Sequence, residues 1–99
     1  MKVVVQNGAN HCLRRKDAEA VVRLLPDAWR RSIRQLVLFQ GDRLGTSFYP
    51  KESVLYLCSP PGFTDKRAAG SVLIRAVADI CRAEPPEGLE ESVIAAVSN

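Results

Sequence analysis

Histidine is almost missing from the chain, which carries His11 and no other. Metal centres and most acid–base catalysis draw on clusters of His, Cys, Asp or Glu, so one histidine leaves little room for either. Cysteine is sparse as well. Cys12, Cys58 and Cys81 are odd in number, far apart and without a C-x-x-C pair, which excludes a disulfide framework or zinc-ribbon spacing and points to reduced thiols. Cys58 and Cys81 lie in apolar patterns, where a free thiol packs as a small hydrophobe. No apolar run comes near the roughly 20 residues needed to cross a bilayer. After Met1-Lys2, Val3-Val4-Val5 gives way to Gln6-Asn7-Gly8 without the apolar h-region of a signal peptide. The expectation is a cytoplasmic protein. Gly41-Asp42-Arg43-Leu44-Gly45 has glycines but lacks the Lys-Ser/Thr ending of a phosphate-binding loop, so no nucleotide site and no cofactor is expected.

What is present fits one globular domain over 1–99: 46% hydrophobic and 25% charged residues, with no repeat or linker. The formal charge of +3 is unevenly spread. Residues 1–50 hold nine bases and four acids, and the remainder five bases and seven acids. The basic excess centres on Arg14, Arg15, Lys16, Arg23, Arg30, Arg31 and Arg34. Arginine forks bind phosphate, so this region is a candidate nucleic-acid surface, with Trp29 and Tyr49 as stacking residues if they are not core or rim. A polar outer helix face would read the same way, and no RNP, KH or zinc-finger motif accompanies it.

Hydrophobic spacing outlines the elements. Lys2 to Gln6 is a β-branched run of strand length closed by Asn7-Gly8. Ala18, Val21, Val22 and Leu25 follow the i, i+3, i+4, i+7 rule of a helix over 17–25 that Asp17 would cap, and Pro26 ends it or starts another turn. A short turn over 27–31 should follow. Gln35 to Gln40 is apolar throughout its middle and reads as a central strand covered on both faces. The stretches 45–49 and 53–58 read as a hairpin. In the second, Val54, Tyr56 and Cys58 share one face, Leu55 and Leu57 share the other, and both faces call for cover. Thr64 is placed to cap a long helix running to about residue 83, with Ala69, Val72, Leu73, Ala76, Val77 and Ile80 on one stripe. Pro85-Pro86 closes it, and Leu89, Val93, Ala96 and Val97 space a short last helix. The expected fold is α+β, in the order β-α-β-β-β-α-α. A mixed sheet of about four strands is packed on one face by the helices at 17–25 and 64–83.

Leu24-Leu25-Pro26, Ile33, the strand at Leu36 to Phe39, Tyr49-Pro50, the strand Val54-Leu55-Tyr56-Leu57 and the long helix after it together resemble the small zincin-like metallopeptidase domain, over residues 17 to 80. That family carries HExxH on the last of these helices, two histidines binding zinc and the glutamate acting as general base. The matching positions here are Arg75, Ala76 and Asp79, so the resemblance implies a scaffold unable to hold zinc at that site or to cleave peptides. Arg75 and Asp79 would instead form an ordinary i, i+4 pair. What remains is binding of a protein or of a peptide added at a sheet edge. Two other functions stay open: a nucleic-acid-binding domain using the Arg14 to Arg34 region, and an enzyme using His11 or Cys12. A sheet with an uncovered edge also invites self-association.

Overall fold

The computed structural model describes residues 1–98. Eight elements follow one another: β1 (Lys2–Val5), α1 (Arg15–Leu24), α2 (Asp27–Ser32), β2 (Gln35–Gln40), β3 (Gly45–Tyr49), β4 (Val54–Ser59), α3 (Lys66–Cys81) and α4 (Leu89–Val97). The strands form one mixed sheet in the order β1-β2-β4-β3, with β1, β2 and β4 parallel and β3 antiparallel on the edge. The expected hairpin is β3–β4, pairing Gly45 with Cys58 and Tyr49 with Val54.

Several boundaries differ from the spacing argument, each for a local reason. Pro26 does both things open to it: α1 stops at Leu24 and α2 begins one residue beyond the proline, a helix of six residues where a turn was expected. Asp17 does not cap α1. Arg14 holds the N-cap position, and the Asp17 carboxylate reaches back to accept the Arg14 amide at 2.9 Å, the acidic half of a capping box. In α3 the cap is Asp65, not Thr64, and its carboxylate accepts the Ala68 amide at 3.0 Å. Arg75 pairs with Glu90 of α4 at 3.5 Å rather than with Asp79, because α4 folds back across α3 and brings a carboxylate to it. Trp29 is core, whereas Tyr49 is 54% exposed.

Burial alternates along β2 and, beyond the buried Val54, along β4 as the pleat requires. Leu36, Leu38, Leu55 and Leu57 are fully buried and join Val21, Ile74, Val77 and Val93 of the helices in a single core. The other faces of these strands meet no helix. All the helical cover therefore lies on one side of the sheet. Closest packing in that layer is between α3 and α4. A Cβ at Gly70 would lie 3.3 Å from methyls of Val93 and Val97, two fully buried residues with no room to retreat. Gly70→Val should therefore lower stability by about 1–3 kcal/mol through overpacking, read as a reduced urea midpoint at unchanged slope. An unchanged midpoint would contradict this packing.

Candidate functional site

The loop after β1 crosses the C-terminal ends of the parallel strands and is tied there by side chains. Asn10 donates its amide to Gln40 Oε1 at 3.0 Å, and the Cys12 amide donates to Ser59 Oγ at 3.4 Å. His11 is the main tie. Its Nδ1 accepts from the Leu13 amide at 3.0 Å, so the ring proton belongs on Nε2, which donates to the Leu57 carbonyl of β4 at 3.1 Å. Burial pushes the His11 pKa below its ordinary 6.5, against the pull of the Leu57 carbonyl. Protonation would also take away the acceptor of Leu13. With both nitrogens bonded to backbone, the ring has no free lone pair to activate Cys12, whose side chain packs half-buried against the core. The hydrogen bonds of the two neighbours hold the loop.

Beside this loop Asp17, only 4% exposed, accepts Lys66 Nζ at 2.9 Å and joins the start of α1 to the start of α3. Burial alone would raise its pKa, but the Arg14 amide and the Lys66 ammonium outweigh that and hold the carboxyl below its ordinary range. His11, Arg14 and Lys66 line a cavity of about 330 Å³ here. Its cationic character is partly cancelled, because Lys66 is committed to Asp17.

The seven basic residues do not form one stripe. Arg14 lines the cavity just described. Arg15 and Arg23 line a different groove with Lys2, against β1. Lys16 and Arg31 are exposed, Arg30 pairs with Asp27, and Arg34 Nε donates to the Glu52 carbonyl at 3.1 Å. Zinc does not fit the positions that the metallopeptidase resemblance marks. Arg75 and Asp79 are exposed, an arginine offers no lone pair, and no three potential ligands gather among the described residues.

The expected fold has helices on one face of the sheet, and what sequence reasoning did not mark as a site is the other face, which they leave bare. In register across it stand Val4, Val37, Tyr56 and Ser47, flanked by Phe39 on β2 and Tyr49 on β3. Tyr56 packs edge-on against Phe39 and Tyr49, with ring centroids 5.7 and 5.3 Å apart. A shallow cavity of about 320 Å³ on this face is lined by strand residues and Gln6, and by no helix. Its signal in the sequence was the apolar character of both faces of β2 and β4. Comparison with family models, with curated proteins and with solved structures finds no match for this chain.

Two outcomes test the polar ties. Lys66→Met leaves a buried carboxylate unpaired and should cost about 3 kcal/mol at pH 7. Because the lowered Asp17 pKa contributes stability above the ordinary carboxylate value that is lost as pH falls through the folded one, the gap from wild type should narrow toward pH 3 in urea unfolding. Equal loss at both pH values would contradict the pairing. For His11 the folded pKa lies below the unfolded one, so stability should fall as pH drops from about 6.5 through the lowered value. His11→Gln should abolish that slope, and a slope shared by both proteins would show that another group causes it.

Proposed function

We propose that the chain is a small, non-catalytic protein-binding module acting in the cytoplasm, and that its docking surface is the sheet face left bare by its own helices. One observation carries this reading: β2 and β4 are apolar on both sides, yet one side alone is packed. A largely parallel sheet ordinarily has both faces covered. On the bare face the strands carry Val4, Val37, Phe39, Tyr49, Tyr56 and Cys58, with Lys2, Gln35 and Ser47 among them and no carboxylate. Aromatic side chains surrounded by smaller apolar ones are what the buried centre of a protein interface contains. The scaffold is read as zincin-like with its metal chemistry lost, supported by the hairpin and long helix in the expected order and by Arg75, Ala76 and Asp79 at the motif positions.

Aromatic rings on a sheet also stack on nucleic-acid bases. Six of the seven basic residues, however, belong to α1, α2 or the cap of α1, in the helical layer rather than on the aromatic face. Protein is therefore the favoured partner.

A photo-crosslinking residue at Tyr49 should give discrete protein adducts in the cells that express the chain, and one at Arg31 should not. The adducts should survive nuclease treatment. Phe39→Lys with Tyr56→Lys should keep the fold by circular dichroism and weaken association by about 30-fold or more, the scale of a lost aromatic hot spot. Adducts that persist in the double variant, or that form equally from Arg31, would defeat the proposal.

A further inference from the structure

The groove between β1 and α1 brings together charges that the chain keeps far apart in sequence. Lys2 comes from the edge strand, and Arg15 and Arg23 come from positions eight apart on one face of α1, with Glu19 between them. The floor is apolar, formed by Val3 and Val22, and the cavity is about 410 Å³. Among the described residues none of these three cations lies within ion-pair distance of a carboxylate, unlike Arg30, Lys66 and Arg75.

The groove runs along a free sheet edge. The Lys2 and Gln6 amides donate into β2, to the Arg34 and Leu38 carbonyls, so alternation turns the Val3 and Val5 backbone groups outward. Arg15 Nη1 donates to the Val3 carbonyl at 3.0 Å, which confirms that direction and places a guanidinium over the edge. A charged side chain so placed blocks indiscriminate strand pairing. An incoming carboxylate offers that guanidinium a charge-assisted bond in exchange for a neutral carbonyl.

We infer that this groove is a docking site for an acidic peptide segment, added as a fifth strand beside β1 with its carboxylates on Arg15 and Arg23. Arg15 acts as a latch: it covers the Val3 carbonyl in the free protein and turns to a peptide carboxylate in the complex, opening the edge. Backbone pairing supplies affinity in this mode, and alternate side chains supply selectivity. The site is separate from the bare sheet face, and its failure would leave that reading intact.

Fluorescence anisotropy with labelled (Glu-Val)4 tests the inference, with (Lys-Val)4 and (Glu-Pro)4 as controls, since proline cannot sustain a strand ladder. (Glu-Val)4 should bind at least tenfold more tightly than either control and weaken markedly between 50 and 500 mM salt, values chosen to span strong and weak screening. Arg23→Glu, which leaves the Arg15 bond to Val3 untouched, should reduce binding about tenfold, and Arg15→Glu with Arg23→Glu should reduce it further. The Val3 and Val5 amides should gain protection from hydrogen exchange in the complex. Equal binding of the proline peptide, unprotected Val3 and Val5 amides, or indifference to Arg23→Glu in a folded variant would each overturn it.

Discussion

Side chains alternate across a strand, and in β2 and β4 both sets are apolar, so the sheet presents two faces that water disfavours. The chain has helix enough to cover one of them. Three helices of ten, sixteen and nine residues pack against Leu36, Leu38, Leu55 and Leu57, and α2 adds Trp29 to the same core. The connections follow from this economy. Placing β3 outside β4 as an antiparallel partner consumes no crossover helix, whereas parallel neighbours must be joined by a return across the sheet. The cost is an open face whose rings shelter one another instead of packing under helices, with Tyr56 edge-on between Phe39 and Tyr49.

Buried polar side chains among the described residues are matched, and the matching occupies His11 and Asp17. Asp17 answers both the amide of Arg14, the N-cap of α1, and the ammonium of Lys66, and His11 spends both nitrogens on backbone groups of Leu13 and Leu57. No buried side-chain nitrogen or oxygen among the described residues lacks a partner. A catalytic group needs a lone pair or a proton left free at the surface of a pocket. Here such groups are used to pin the loop after β1 and the starts of α1 and α3 to the ends of the strands. These are the places where a parallel sheet presents its loops.

Periodicity was enough to read the long helices, because α1 and α3 carry a clear 3.6 repeat, and the strands were read from apolar runs of strand length, whereas α2 passed for a turn. Periodicity could not place the caps. Asp17 and Thr64 have the right chemistry for the N-cap, but the position goes to Arg14, three residues before the first, and to Asp65, one after the second, and that depends on contacts such as Asp17 to Lys66, forty-nine positions away. The same limit applied to Arg75, whose partner Glu90 comes from another helix. The surfaces were half legible. The apolar character of both faces of β4 was visible in Val54 to Cys58, and helices on one face of the sheet were expected, but which side chains the other face would bring together was not, since that depends on the register of the four strands. The basic cluster was visible as composition, whereas its division among a cavity, a groove and a set of local pairs is a consequence of the turn at Pro26 and of the direction of α1.

A domain of this size has little stability to spare, and an apolar face left in water adds nothing to it. Hydrophobic gain from that face is realised when another surface covers it, so binding and folding draw on the same side chains. A partner that recognises the folded face alone raises the unfolding free energy by about 2.7 kcal/mol at a hundred times its dissociation constant. That is a large fraction of what a chain of 99 residues commands. Substitutions on the bare face then have two separable effects. In the isolated chain, exchanging Phe39 or Tyr56 for a polar residue changes little of the core, because Leu38 and Leu57 point the other way. In the complex the same exchange removes both the contact and the stability that the contact confers. The alternation that leaves the face open is therefore also what lets it change without unfolding the layer beneath.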